Sequence, residues 1–175
     1  MSASVIGLSG SPNTTSRSRT LLQLALAALE RQGTGSSRLI DLARLPADAL
    51  LGRRSDREVD DALRAVLDAG IIVVSTPVYR ATYSGLLKVF FDLLPQDALA
   101  RKVAIPIATG AGPGHALAVD HGLRPLLASV GALVVAGGVY GTDAQFRAGV
   151  PDPELVERVE RATLEAASLA SGVTI

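Results

Sequence analysis

The chain has 175 residues, contains no cysteine, and balances 17 acidic side chains against 17 basic ones. Its zero net charge argues against a nucleic-acid-binding protein, which needs a basic face, and against a small acidic electron carrier. Without cysteine there can be no disulfides, no thiol catalysis and no thiolate metal sites. The length predicts a single domain over residues 1–175 with a sizeable core.

The N-terminal segment and the hydropathy pattern predict the compartment. Met1–Ile6 has neither the basic segment nor the long apolar segment of a signal peptide. No uninterrupted apolar stretch approaches the roughly 18 residues of a membrane span. We therefore expect a cytoplasmic protein without membrane or nucleic-acid partners.

Strand-like and helix-like segments alternate along the chain. Apolar runs predict five strands, at Val5–Leu8, Ser37–Leu42, Ile71–Ser75, Val103–Ala108 and Ala132–Ala136. Helical spacing predicts helices at about 18–32, 59–67, 86–94 and 114–129, and a last one that begins at 152–153. This alternation predicts an α/β fold: a flavodoxin-like, doubly wound, five-stranded parallel sheet of order 2-1-3-4-5 with helices on both faces. Pro106 in the fourth strand requires a bulge or a position whose N–H is not needed.

Three polar loops follow strands one, three and four, whose carboxyl ends are neighbours in this sheet. The first, Ser9–Thr20, combines hydroxyls, a helix N-terminus and two arginines, which together can hold a phosphate. It lacks the lysine of a Walker loop, the glycine fingerprint of a dinucleotide site and the glycine spacing of a hydrolase elbow. The alternative is a polar loop that only caps the first helix.

The second and third loops favour a flat ligand. Thr76–Lys88 carries two of the three tyrosines in the chain, and Thr109–His115 carries three glycines that let a backbone approach a ligand closely. The alternative is that Pro77 forms a turn, the tyrosines pack against the core, and the glycines form an ordinary tight turn. A phosphate at the first loop and a ring against the other two describe flavin mononucleotide (FMN).

Six separated motifs resemble the NADPH-dependent FMN reductase family, in particular the flavin reductase components of alkanesulfonate and methanesulfonate monooxygenase systems. The likeness spans residues 5–140. Its motifs are Gly10-Ser11-Pro12, Ser16-Arg17-Ser18, Thr76-Pro77-Val78-Tyr79, Tyr83-Ser84-Gly85 with Lys88, Asp92-Leu93-Leu94-Pro95 and Ala108-Thr109-Gly110, and the run 115–120 adds to them.

The resemblance implies an enzyme that transfers hydride from NADPH or NADH to FMN and supplies reduced FMN to a partner monooxygenase. The flavin supplies the chemistry, so no catalytic side chain and no metal is expected. The implied FMN-binding residues are Ser11, Ser16, Arg17 and Ser18 at the phosphate, Pro77, Val78 and Tyr79 along the ribityl chain and ring, and Thr109, Gly110, Ala111 and Gly112 at the pyrimidine edge. Ala111 and Gly112 depart from the glycine and hydroxyl residue usual in the family, so a side-chain bond to the ring is not expected there.

Two other functions stay open on the residues alone. FMN could be a prosthetic group in a quinone, azo-dye or metal-oxyanion reductase, or the protein could be a flavodoxin-type electron carrier. The neutral charge and the apolar third helix favour an enzyme over a carrier.

Two segments predict a homo-oligomer, either a dimer or a tetramer. Leu86–Leu94 is apolar nearly all round, with only Lys88 and Asp92 charged, and such a helix is buried on both sides. In the fourth helix, Gly122 and Pro125 predict a kink or a π-bulge at His121. The resemblance implies that this bulge lies at a tetramer interface and regulates flavin transfer; an ordinary interface histidine is the alternative. His115 is expected to be a loop hydrogen bonder, and two distant histidines do not predict a metal site.

Overall fold

The computed structural model describes residues 4–172. Its main sheet is parallel, in the order β2-β1-β3-β4-β5, which confirms the predicted topology. The strands are β1 (Val5–Ser9), β2 (Ser37–Asp41), β3 (Ile71–Pro77), β4 (Val103–Gly110), β5 (Leu133–Val134) and β6 (Val139–Thr142), the last of which pairs with β4. Strands β1, β3 and most of β4 are buried because helices cover both faces.

Two helices cover one face of the sheet and three cover the other. On the first face, α1 (Arg17–Arg31) and α6 (Pro153–Gly172) pack over β1, β3 and β4. Gly7 lets α1 approach closely, because a Cβ atom there would lie 2.8 Å from a methyl group of Leu26. The second face is covered by α3 (Arg57–Asp68), α4 (Gly85–Phe91) and α5 (Arg124–Ser129). Within residues 4–172, no helix is both long enough and apolar enough to cross a membrane.

Three short elements lie outside the predicted pattern. The helix α2 (Ala47–Leu50) occupies the patternless connection before α3. The strands β7 (Phe146–Arg147) and β8 (Val150–Pro151) form a small antiparallel hairpin between the main sheet and α6. This hairpin extends the chain beyond the carboxyl edge of the sheet.

The fifth strand is interrupted where the sequence predicts a continuous one. Its first part, β5, pairs with the start of β4, and its second part, β6, pairs with residues 107–110. Between the two parts, backbone groups bind side chains: Glu165 accepts from the N–H groups of Ala136 and Gly137 at 2.6 and 3.1 Å. The ladder is therefore replaced over this stretch by a carboxylate from α6.

The interruption also explains how β4 accommodates Pro106. Val135 donates its N–H to the Ala104 carbonyl, so the next bond of a parallel ladder would run from residue 106 to the Val135 carbonyl. Proline has no N–H to donate. Arg124 takes that place, with its Nη1 atom 2.8 Å from the Val135 carbonyl and its Nη2 atom 3.1 Å from that of Ala136.

Replacing Arg124 with methionine should therefore destabilise the fold, although the side chain is partly exposed. We expect the free energy of unfolding in urea to fall by about 1.5–3 kcal/mol, because two carbonyls lose a charged donor. Arg158→Met is the matched control, since Arg158 pairs with Glu154 on the surface of α6. Equal losses in the two variants would contradict this role of Arg124.

The predicted fourth helix is irregular, as Gly122 and Pro125 indicate. It begins with a 3-10 turn at Pro113–His115, contains a π-helical stretch at Val119–Leu123, and continues as α5. The predicted π-bulge at His121 is thus confirmed, and the His121 side chain is exposed. Gly122 is buried, and a Cβ atom there would lie 2.5 Å from the Thr82 hydroxyl, so the bulge packs directly against the second polar loop.

Candidate functional site

The three polar loops meet at the carboxyl edge of the sheet around a cleft of about 570 Å³. All of the residues predicted to bind FMN line it except Ser18 and Gly112. The predicted lining residues are Ser11, Ser16, Arg17, Pro77, Val78, Tyr79, Thr109, Gly110 and Ala111. Asn13, Thr15, Thr20, Asp143 and Gly149 complete the lining.

The first loop presents the N-terminus of α1 to the cleft. Ser16 occupies the N-cap position in an extended conformation, but its side chain makes no cap bond. Its hydroxyl instead lies 2.8 Å from that of Ser18, which is completely buried and reaches the cleft only through Ser16. The first N–H groups of a 15-residue helix therefore remain available, in the arrangement that binds anions.

The two arginines of this loop have separate roles. Arg17 lines the cleft, whereas Arg19 points away and pairs with the buried carboxylate of Asp41 at the end of β2. The expectation that both arginines hold a phosphate is thus not met by their positions. Arg17 lies 3.0 Å from a carboxylate oxygen of Asp143 and stacks 5.9 Å from the centre of the Phe146 ring.

Ser84 joins the first loop to the second. Its buried hydroxyl donates to the Gly10 carbonyl at 2.5 Å and accepts from the Leu87 N–H at 3.1 Å, which caps α4. Its backbone N–H donates to the Thr76 hydroxyl at 2.9 Å. One residue therefore connects the first loop to the wall that follows β3.

The wall after β3 is a tight reversal of the chain. Tyr79 and Thr82 exchange backbone hydrogen bonds at 2.9 and 3.2 Å. Arg80 and Ala81 between them both have positive φ, 49° and 69°, an uncommon backbone for residues other than glycine. The turn leaves Tyr79 44% exposed as a residue, beside the cleft.

The third loop is held by Tyr140 of β6. The Tyr140 hydroxyl donates to the Gly112 carbonyl at 2.6 Å. A Cβ atom on Gly110 would lie 2.6 Å from the same hydroxyl, so only glycine fits at the end of β4. Burial raises the pKa of Tyr140 above its usual value, and the negative charge of Asp143 adds to the effect. The hydroxyl therefore remains a donor at neutral pH.

Tyr140→Phe is expected to lower the free energy of unfolding by about 1 kcal/mol at neutral pH, through loss of this hydrogen bond. Because the folded-state pKa lies above the usual 10.0, the contribution is present below that pH and lost as pH rises through the raised value. Urea unfolding of the two proteins at about pH 8 and about pH 11 measures the difference. A difference that does not shrink at the higher pH would contradict this assignment.

Asp143 and Gly149 are the lining residues that lie outside the three loops predicted from the sequence. Both lie in the connection between β6 and α6, which has no regular apolar pattern. One local signal was available: Thr142 and Gln145 form a capping box, in which Gln145 accepts from the Thr142 N–H at 3.1 Å. Such a box marks an ordered turn directly after the last strand, where a fourth site loop belongs. Within residues 4–172, no three potential metal ligands lie together.

Comparison with known proteins gives a consistent picture. Residues 3–146 match the sequence profile of a family described as NADPH-dependent FMN reductase. The chain is 38% identical over 159 residues to a Pseudomonas putida FMN reductase (NADPH), which covers 89% of this chain and 80% of that protein. It is 39% identical over 145 residues to the NADH-dependent FMN reductase SfnF of Pseudomonas fluorescens, covering 81% of this chain and 78% of the relative.

A solved structure supports the same relationship. The apo form of the NADH:FMN oxidoreductase EMOB superposes with a TM-score of 0.88 at 36% identity, covering 98% of this chain and 90% of that one. The profile match, the identities above 30% and the shared fold agree with one another. The chain belongs to the NADPH-dependent FMN reductase family.

Proposed function

We propose that this protein reduces FMN with NADPH or NADH and releases the reduced flavin to a partner monooxygenase. The observation that carries the proposal is the convergence, in one cleft, of the free N-terminus of α1 with Arg17 and of the wall formed by Pro77–Tyr79. A phosphate and a planar ring need these two surfaces at opposite ends of one site. A cleft of about 570 Å³ falls within the size range of small-molecule sites.

The residues present fit the group. Ser16, Arg17 and the first N–H groups of α1 would hold the phosphate as donors. Val78 and Tyr79 would cover one side of the ring, and the backbone of Gly110 and Ala111 would border its polar edge. Bound FMN would supply the hydride-accepting chemistry. The chain contributes binding and orientation, and Gly110 leaves room for the Tyr140 hydroxyl that holds the third loop.

One experiment separates this proposal from a prosthetic flavin and from an electron carrier. The purified protein is assayed for oxidation of NADPH and of NADH, with FMN added either in trace or in substrate amounts. Turnover that requires substrate amounts of FMN supports the proposal. Tightly held flavin with turnover only upon addition of a quinone supports the prosthetic alternative. Tight flavin without NAD(P)H oxidation supports a carrier, and absence of any flavin binding rejects all three.

The names of two relatives bear on the choice of electron donor. Relatives are described as NADPH-dependent and as NADH-dependent, so both nucleotides belong in the assay. We further propose that residues 1–175 form one domain. We also propose that the protein acts in the cytoplasm, where NAD(P)H is available.

We also propose a homo-oligomer that uses α4 and the π-helical stretch. Leu87, Phe90 and Phe91 are buried within the chain, so these apolar side chains of α4 cannot contact another subunit. Leu86 and Val89 of α4, and Leu93 just after it, pack against the core but remain partly exposed, which leaves an apolar strip at the surface. His121 is exposed on the neighbouring irregular helix, and we propose that it belongs to the same interface.

A charge placed in this strip tests the assembly. Val89→Glu should lower the molar mass measured by light scattering toward that of one chain, because an interface core does not tolerate an unpaired carboxylate. Glu157→Gln, on the exposed side of α6, is the control for a change of one charge. An unchanged mass in Val89→Glu would show that subunits, if they associate, do so through another surface.

A further inference from the structure

Asp143 is the one carboxylate among the described residues that line the cleft, and Arg17 is the one basic side chain there. The two groups lie 3.0 Å apart, and each is 48% exposed. Arg17 is therefore already paired at the place where the proposed function requires it to bind a phosphate. We call Ser16, Arg17 and the first N–H groups of α1 the cradle. Any anion bound in the cradle must share Arg17 with Asp143 or displace the Asp143 carboxylate.

The carboxylate is held in this position by ordered structure. Asp143 opens a 3-10 turn that the capping box of Thr142 and Gln145 stabilises. The β7–β8 hairpin begins directly after this turn, at Phe146. The Phe146 ring packs against the core that α1 covers and also contacts the Arg17 guanidinium. The backbone of Asp143 is thus held by an ordered turn, and this places its carboxylate against Arg17 at the start of α1.

The charge balance of the cradle has a functional consequence. A helix N-terminus and one arginine attract a dianionic phosphate, whereas a carboxylate a few ångströms away repels it. An enzyme that hands reduced flavin to a second protein must release it, so a weakened phosphate site suits exchange. We propose that Asp143 determines flavin affinity: it opposes the phosphate and keeps FMN an exchangeable substrate.

This inference rests on the proposed function, and its test compares FMN with riboflavin, which lacks the phosphate. The dissociation constants of both flavins are measured by fluorescence quenching for the native protein, Asp143→Asn and Asp143→Ala. We expect FMN to bind about 3- to 10-fold more tightly to both variants at low salt, with a smaller gain at high salt. Riboflavin affinity should stay unchanged, because it carries no charge for Asp143 to repel.

Asp61→Asn is the matched control, because it removes the same charge from an exposed pair on α3, outside the cleft. It should leave the affinity for both flavins unchanged. Equal or weaker FMN binding by Asp143→Asn would overturn the inference and show that Asp143 instead orients Arg17. Equal tightening of FMN and riboflavin would also overturn it. A native protein that binds neither flavin would reject the proposed function itself, and the two failures are therefore distinguishable.

Discussion

Replacing Arg17 with alanine should weaken FMN binding by about 10- to 100-fold, because the phosphate would lose one charge-assisted hydrogen bond. Arg17 is the one cation among the described residues lining the cleft, and Arg19 cannot replace it because it is paired with Asp41. Riboflavin affinity should change little, since the position proposed for the ring lies against the other two loops. Titration of the protein with each flavin, followed by fluorescence, measures both effects.

Arg31→Ala provides the control for this experiment. Arg31 lies at the opposite end of α1 and pairs with the exposed Glu160. Its removal changes the net charge by the same amount but should leave both dissociation constants where they are. If Arg17→Ala lowers the affinity for FMN and riboflavin equally, the guanidinium does not act on the phosphate, and the orientation proposed for the flavin is wrong.

Ser84→Ala should have the second large effect, on stability and on the site together. We expect the free energy of unfolding to fall by about 2–4 kcal/mol, since α4 loses its N-cap and the Gly10 carbonyl loses its donor in a buried position. FMN affinity should fall as well, because Ser84 would no longer hold the first loop against the wall after β3. Urea unfolding and FMN titration give the two quantities.

Ser129→Ala is the corresponding control. The Ser129 hydroxyl donates to the Leu126 carbonyl at 2.7 Å at the exposed end of α5, away from the cleft. Its loss should change the unfolding free energy by no more than about 0.5 kcal/mol. Should Ser84→Ala unfold at the same urea concentration as Ser129→Ala, the buried hydroxyl would not be the connection between the loops that its geometry indicates.

The order of the sheet was predictable from the chain because the signals for it are local. Buried parallel strands need apolar residues on both faces, and runs such as Ile71–Val74 carry that composition in full. The carboxyl ends of those strands then bring three polar loops to one edge. Nine of the eleven residues expected there lie in these loops and line the cleft, whose place follows from the topology.

Other features depend on contacts between distant parts of the chain. The gap in the fifth strand requires Arg124 at the carbonyls of residues 135–136 and Glu165 at the next N–H groups, and no local pattern specifies either partner. The burial of Ser18 likewise depends on how α1 packs on the sheet. The family resemblance implied that Ser18 binds the phosphate, whereas in the structure its hydroxyl lies 2.8 Å from that of Ser16.

The amino-acid order alone determined the fold class, the strand order, the family and the three loops, since periodicity and short motifs act over a few residues. Only the tertiary structure decided that Asp143 lies opposite Arg17, which is 126 positions earlier in the chain. That pairing arises because β6 ends and α1 begins at the same edge of the sheet, and a through-space charge contact leaves no trace in local spacing.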